Sequence, residues 1–385
     1  VEKHLDKPEI SLILGPRQSG KTTLMKQIQA GLENEGVGTV FFNLDITEEK
    51  RFFQTQHTLL SEANKRLNRQ DPKVIFIDEI QRLENAGLFL KGFFDMQTGY
   101  KLIVSGSGSL ELKANIIEPL TGRKRVFYLL PLSLTEFAAN KLGVDFNKVG
   151  NELDSNAYER ERLISEYTTY GGYPRVILSQ THQEKIEILD EIFSSYLEKD
   201  IQMILGVEKE VAFQKLFKLL AHQVGNIINK AELSNNLGID ARTVDKYLNL
   251  LEKTFVISLI SPYFSNARNE TKKNPKVYFL DLGMLSLAKN IQPGVENLID
   301  GGKFENACFL RLIELELFEK IKFWRTKTGT EIDFVLTSDE GKIIPLEAKL
   351  SAKTGRAGKN LISFIKKYKS PKAFIYTKDA EAVFE

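Results

Sequence analysis

Across 385 residues the chain has one cysteine, one tryptophan and four histidines. A lone thiol, Cys308, excludes an internal disulfide and a cysteine-rich zinc site. His4, His57, His182 and His222 are scattered without metal-ligand spacing, so core or surface roles fit each of them. No apolar run approaches the ~18 residues of a membrane span, and no signal-peptide pattern opens the chain. No membrane partner and a cytoplasmic location are therefore expected. Because the first residue is Val1 rather than Met, a short leader is expected to be missing ahead of it. There is no internal repeat and no low-complexity stretch.

The chain also lacks an overall excess of either charge, with a net of +2, but the balance is local. Lys349 to Lys378 holds nine Lys or Arg residues and no Asp or Glu, while the remainder carries 44 basic against 51 acidic residues. A basic stretch of this kind points to an anionic partner, with a solvated lysine-rich helix face as the bland alternative. A hydrophobic fraction of 42% and a charged fraction of 27% describe a globular protein,. The length predicts two to four domains.

The sharpest feature is Gly15-Pro16-Arg17-Gln18-Ser19-Gly20-Lys21-Thr22, which fits G-x-x-x-x-G-K-[ST] at every defined position. It follows the apolar run Ile10 to Leu14 and precedes a helix-like segment from Thr23, the setting a P-loop needs. Backbone N–H groups of such a loop close around a β-phosphate, and the helix N-terminus favours an anion. These eight residues and Thr23 form the expected nucleotide-binding set. Lys21 is expected at the β/γ-phosphates and the Thr22 hydroxyl on Mg²⁺. Val74-Ile75-Phe76-Ile77-Asp78-Glu79 reads as a buried strand ending in two carboxylates. Asp78 would hold Mg²⁺ and Glu79 would polarise the attacking water, making ATP and Mg²⁺ the expected cofactors. A Glu after the Asp, with a strand between it and the P-loop, separates hydrolytic ATPases from nucleotide kinases. Further strands at 37–44, 102–104 and 126–130 predict a parallel α/β sheet with helices on both faces. The run Leu102 to Ser109 carries a candidate γ-phosphate sensor, Ser107 first and Ser105 second. A plain Ser/Gly turn is the alternative.

GPRQSGKTTL, VIFIDEIQRL, IVSGSGSL and LTGRKRVFYLLPLSLTEF together resemble the AAA-type ATPase domain of a large prokaryotic family. Its members carry a C-terminal DUF4143 domain similar to restriction-endonuclease folds, and the resemblance covers nearly the whole chain. It implies an ATPase core over 1–132, a helical lid over 133–205, a winged helix-turn-helix over 206–280 and a PD-(D/E)xK nuclease-like domain over 281–385. In the family pattern Gly122-Arg123 precedes P-L-S-x-x-E-F, which makes Arg123 a candidate for stabilising phosphate charge, in cis or from a neighbouring subunit, with Arg125 as its rival. Gly171-Gly172-Tyr173-Pro174 resembles the turn with which signal-transducing ATPases place a proline, here Pro174, against the base or ribose. A helix-breaking turn is the alternative.

Residues 229–262 read as a helix-turn-helix in their own right. A helix from Lys230 to Leu237 meets a turn at Gly238, and Asp240 caps a helix from Ala241 to Lys253. Val244, Leu248 and Leu251 face a core, and Arg242, Lys246, Asn249 and Lys253 fall on the other side. Strands 256–260 and 276–280, with a basic loop through Arg268, Lys272 and Lys273, would form the wing.

In the last third, Asp333 and the Glu347-x-Lys349 pair are spaced as in PD-(D/E)xK nucleases. On a strand, Glu347 and Lys349 share a face. With Asp333 alongside, the two carboxylates would bind Mg²⁺ and Lys349 would steady transition-state charge, with Glu305 as a third carboxylate. Such a triad recurs by chance, so cutting is left open. The preferred reading is an AAA-type Mg²⁺-ATPase whose cycle repositions a half that binds nucleic acid, DNA ahead of RNA. One alternative is an ATP-dependent switch on a protein partner, with the nuclease-like fold used only for docking. The other is a nuclease whose ATP site gates assembly. A homo-oligomer is left open.

Overall fold

The computed structural model describes residues 1–67, 73–107, 119–196, 210–263, 274–290, 299–315, 317, 320–326, 328–338, 340–350, 358–377 and 381–384. The chain divides into two compact units, one of Val1–Pro131 with Lys253–Phe255, the other of Leu132–Glu252 with Val256–Glu385.

The first unit is built on a parallel sheet of β1 (Ile10–Gly15), β2 (Gly38–Asn43), β3 (Lys73–Asp78), β4 (Tyr100–Ser107) and β5 (Lys124–Tyr128), in the order β2-β3-β4-β1-β5. All pairings are parallel, and β1 is buried along its whole length because β4 and β5 flank it. Neighbouring residues on a strand point to opposite faces. Phe41 accordingly stacks on Phe76 in a core that takes in Met25, Ile28 and Leu32 of α1 (Lys21–Asn34). Phe42 turns the other way, under the Arg66 guanidinium of α2 (Gln56–Leu67), and meets Phe53 edge-on at 5.4 Å, which in turn packs on Phe89 of α3 (Ala86–Asp95). Both faces are therefore covered, as a parallel sheet requires. The sheet is of the parallel α/β kind expected of a P-loop domain, with β5 beginning two residues earlier than the hydrophobic run suggests.

The second unit opens with helices. α4 (Leu134–Leu142) starts at a capping box of Ser133 and Glu136, and α5 (Ala157–Tyr170) ends at Gly171, whose φ is +73°. Gly172 needs its missing side chain, since a Cβ there would lie 2.0 Å from the Leu132 carbonyl oxygen. Its N–H donates to the buried Asp281 carboxylate at 2.7 Å, which also accepts from Met284 N at 2.9 Å and caps the short helix Leu282–Ala288. Burial raises the Asp281 carboxyl to about 6.

Further on, α6 (Lys230–Leu237) ends at Gly238 in the left-handed region, and Asp240 caps α7 (Ala241–Lys253) through Thr243. On α7, Val244, Tyr247, Leu248 and Leu251 are buried while Arg242, Lys246 and Asn249 are exposed. β6 (Ile257–Ile260) pairs antiparallel with β7 (Lys276–Phe279). Arg268, Lys272 and Lys273 lie outside the described residues.

The remaining strands form one sheet in the order β12-β11-β10-β9-β8. They are β8 (Ile321–Arg325), β9 (Glu331–Thr337), β10 (Ile343–Lys349), β11 (Ala373–Thr377) and β12 (Glu381–Phe384). Only β10 and β11 run parallel. Phe334 faces Phe309 of α8 (Gly301–Glu314), and its neighbour Val335 joins a core with Leu361 and Phe364 of α9 (Lys359–Tyr368). The segment after β6 continues onto this sheet, where Tyr263 N donates to Phe323 O at 2.5 Å and Phe323 N to Ser261 O at 3.3 Å. The β6–β7 hairpin is thereby stitched to β8. Among the described residues no helix is long and apolar enough to cross a membrane.

Candidate functional site

The P-loop turns at the carboxyl end of β1 through two residues with positive φ, Gln18 at 60° and Gly20 at 97°. Gly15 is fixed by packing as well as by chemistry, because a Cβ there would lie 2.0 Å from Leu129 O. Lys21 is buried and its ammonium curls back onto the loop, 3.2 Å from Gly15 O and 2.7 Å from Pro16 O. Among the described residues no carboxylate forms an ion pair with it. Loss of hydration pulls its affinity for a proton below the usual lysine value, and the more distant charges of Glu79 and Asp78 oppose that only in part,.

Thr22 Oγ1 donates to Asp78 Oδ2 at 2.6 Å, and Ser105 Oγ donates to the other oxygen of the same carboxylate. Ser105 Oγ also accepts from Glu79 N at 3.2 Å. Glu79 itself has φ 59° and ψ 44°, a left-handed conformation that a non-glycine residue keeps only when its surroundings hold it,. Gln81 supplies part of that restraint. Its Nε2 donates to Glu79 Oε2 and, at 2.9 Å, to Ser107 Oγ, while its Oε1 accepts from Ser107 N at 3.3 Å. The two serines thus divide their work: Ser105 braces Asp78, and Ser107 reaches Glu79 through Gln81.

The residues suit a magnesium nucleotide. Among the described residues Ser19 Oγ, buried in the loop, has no hydrogen-bond partner, and the Lys21 ammonium bonds only neutral carbonyls. Both are donors left waiting for an anion. Thr22 and Asp78 bring two hard oxygens together where a magnesium ion would be held,.

Arg123 is elsewhere. It immediately precedes β5, whose Lys124 pairs with Ile10 at the amino-terminal end of β1, five residues before Gly15. At ~3.3 Å per residue that places it about 16 Å from the loop, beyond the span of its side chain. Its Nε donates instead to Asp95 Oδ1 at 2.8 Å. The role in cis is corrected on this geometry. Pro174 belongs to the second unit, where it opens the short helix Pro174–Leu178, and the preceding glycines answer to Leu132 and Asp281.

In the second unit the hairpin of β9 and β10 pairs Phe334 with Leu346, so Asp333 and Glu347 come side by side, and Ala348 N donates to Asp333 Oδ2 at 2.9 Å. What the sequence reading missed is Lys276, the first residue of β7. It is 1% exposed, and its Nζ lies 3.0 Å from Glu305 Oε1, 2.6 Å from Glu331 Oε1 and 3.8 Å from Asp333 Oδ1. Tyr278 OH donates to the same Glu305 oxygen at 2.5 Å, and Arg325 pairs with the second oxygen of Glu331 at 3.1 Å. Glu305, Asp333 and Glu347 as a shared metal-ligand set is therefore corrected: an ammonium lies between the first two. Among the described residues no three His, Cys, Asp or Glu side chains are grouped to hold a metal ion.

Three acids around one lysine leave an excess of negative charge. Burial, only partly offset by the Lys276 ammonium, pushes Glu305 up to about 7, and raises Asp333 as well. Lys276 moves the other way from most buried lysines. Its desolvation is outweighed by Glu305, Asp333 and Glu331, so its proton is held more firmly than usual. Lys349 is half-exposed and its ammonium lies 3.1 Å from Glu347 Oε2, off the axis of a hydrogen bond. Nothing in the local sequence announces the cluster, because Lys276 is separated from its partners by 29 to 57 positions in chain order.

A buried strand, a P-loop, a helix and a second strand ending in Asp78-Glu79 define a P-loop nucleotide-binding domain,. Residues 7–138 match the family model described as AAA domain, and residues 300–385 match that described as Domain of unknown function (DUF4143). Residues 161–294 match a third, Domain of unknown function (DUF8612). The chain thus joins a match to an AAA domain with a match to a DUF4143 domain. An uncharacterized Haemophilus influenzae protein is 27% identical over 312 residues, covering 79% of this chain and 74% of that protein. An uncharacterized protein of Methanocaldococcus jannaschii is 25% identical over 355 residues, covering 89% and 76%. Among solved structures, the ORC2 protein of Aeropyrum pernix in its ADP form aligns at 12% identity and a TM-score of 0.37, over 75% of this chain and 90% of that one.

Proposed function

We propose that the chain is a Mg²⁺-dependent ATPase whose nucleotide cycle governs a nucleic-acid-binding second half. The observation that carries the first part is the restrained pair at the end of β3, Asp78 bonded to Thr22 and Glu79 held by Gln81. Bound Mg²⁺ would neutralise charge on the β- and γ-phosphates. Lys21 would exchange its two backbone carbonyls for phosphate oxygens, and the Ser19 hydroxyl would gain a partner. Glu79 would accept the proton of the attacking water, with Gln81 and Ser107 setting its orientation. Arg123 is left a role only towards a nucleotide on a neighbouring copy.

Nucleic-acid binding, DNA ahead of RNA, is supported by the basic stretch. Lys359, Lys366, Lys367 and Lys369 lie exposed on or beside α9, with no acid between Lys349 and Lys378. Arg242, Lys246 and Asn249 offer a second exposed face on α7, consistent with a winged helix-turn-helix,. Lys353 and Arg356 fall outside the described residues.

Phosphate release and calorimetric ATP titration test the first part. Glu79→Gln should bind ATP and lose turnover by roughly 10²–10⁴-fold, the usual contribution of a general base. Unchanged turnover would assign the water to another residue. For the second part, each phosphate contact contributes about 0.9 to the slope of log affinity against log salt on duplex DNA. Replacing Lys359, Lys366 and Lys367 by Gln should lower that slope by roughly 2 to 3. Affinity indifferent to salt and substitution would favour the protein-binding switch instead.

A further inference from the structure

We infer that Lys276 is the resident cation of the carboxylate cluster, so that the nuclease-like fold keeps no divalent ion there and cuts no phosphodiester. A metal-dependent nuclease leaves its carboxylates open to an ion that must also reach water and phosphate. Here the place between the carboxylates is filled from inside the protein. The ammonium has three hydrogens and three acidic neighbours, Glu305 and Glu331 at 3.0 and 2.6 Å and Asp333 at 3.8 Å. The second Asp333 oxygen is taken by Ala348 N. The face of Phe323, 5.6 Å from Nζ, closes another side.

Nor is Lys276 free to withdraw. Its backbone pairs with Ile260 on β6 and bridges to Ile227, so removing the ammonium means opening a hairpin that is itself stitched to β8. That separates it from Lys349, whose long exposed side chain can move without disturbing a strand. A dication placed between Asp333 and Glu347 would face the ammoniums of both lysines, and like charges repel,. Among the described residues Glu347 Oε2 is buried without a hydrogen-bond partner, but the Lys349 ammonium lies 3.1 Å from it, and both Asp333 oxygens are engaged by Lys276 and Ala348 N. The pair resembles a nuclease's in spacing while its cations come from within the protein. The inference does not rest on nucleic-acid binding or on ATP turnover.

The test is a Mn²⁺ titration of the nucleotide-free full chain, read by electron paramagnetic resonance, on wild type and Asp333→Asn. Any ion at the P-loop is common to both and cancels. Equal binding is expected, together with no cleavage of DNA or RNA by wild type in Mn²⁺ or Mg²⁺. One additional ion in wild type that Asp333→Asn loses would overturn the inference, as would cleavage that disappears with it. Lys276→Met supplies the converse arm. Freed of the ammonium, Glu305, Glu331 and Asp333 should accept Mn²⁺, which should raise the melting temperature of this variant more than that of wild type. A folded Lys276→Met indifferent to Mn²⁺ would mean that the ammonium does not stand in an ion's place. Should that variant fail to fold, the wild-type and Asp333→Asn pair still decides the matter.

Discussion

Of the five lysines buried among the described residues, Lys21 at 5% exposure and Lys276 at 1% are treated oppositely by their surroundings. Lys21 is desolvated among carbonyl oxygens with no acid in contact, and its hold on a proton is weakened. Lys276 is desolvated among three acids, and its hold is strengthened. Burying a charge is costly unless it is paired. The first lysine therefore carries an unpaid debt that a phosphate would settle, and the second has its partners built in. In the phosphate-binding loop the under-compensated charge is one that a phosphate would complete, whereas the charge at the start of β7 already has its partners. By this criterion the P-loop is open and the carboxylate cluster is not.

Substituting both lysines by methionine should reverse the two effects, and this is the largest expected. Lys276→Met leaves Glu305, Glu331 and Asp333 without their central cation, and removing one partner of a buried ion pair typically costs ~3–5 kcal/mol. Lys21→Met removes a charge that no acid compensates, so unfolding in denaturant should show no comparable loss. Its deficit should appear instead as ATP affinity weaker by about 10- to 100-fold, the scale of a lost charge-assisted hydrogen bond. Chemical denaturation and calorimetry of the two variants check it. Equal destabilisation by both would remove the distinction.

The difference also sets what could be read without a structure. The P-loop is legible because its residues are contiguous and each backbone position has a stated job, and Asp78-Glu79 is legible because a buried strand must end where it does. The helix-turn-helix spacing around Gly238 and Asp240 is local for the same reason. Asp333 and Glu347 were brought together by a simple hairpin register. Lys276 was invisible as their neighbour, since its pairing depends on how β7 lies against α8 and β9, and residue spacing carries no trace of that. Gln81 was missed for a subtler reason: it follows the recognised motif by two residues, and only the short turn Ile80–Arg82 folds it back onto Glu79. Arg123 shows the converse error, where a motif position suggested a reach that the parallel register denies.

A pH titration sharpens the comparison at smaller scale. In the folded chain Glu305, facing Lys276, Tyr278 and Asp333, sits at about 7 against 4.5 for a free glutamate. The folded state therefore holds the proton more tightly, and stability falls as pH rises from 4.5 through about 7, where the charged form becomes obligatory. Lys276, with its pKa raised, adds stability that is fully present throughout that window and is lost only above 10.5. Asp333 and Glu347, both raised by burial, add to the acid-side preference. Glu305→Gln should flatten the slope by an amount on the order of 2 kcal/mol between pH 5 and 8, read as the difference in unfolding free energy from wild type. A slope unchanged by the substitution would show that Glu305 is ionised throughout and the cluster more open than its contacts suggest.

The smallest effect belongs to Gln81, and it tests whether the open site is also an ordered one. Its amide ties Glu79 to Ser107 and touches neither Lys21 nor Thr22 in any hydrogen bond described above. Gln81→Ala should therefore leave ATP binding and KM in place and lower kcat by roughly 3- to 10-fold, the worth of one or two neutral hydrogen bonds. Ser107→Ala should cost less, because Gln81 still reaches the Glu79 carboxylate without it. If Gln81 acts through Glu79, the two substitutions are not additive. Adding Gln81→Ala to Glu79→Gln should then produce no further fall in the residual rate. A loss that simply multiplies would give Gln81 a contact of its own with nucleotide or water. No change in kcat for Gln81→Ala would reduce it to a structural cap on the turn that follows β3.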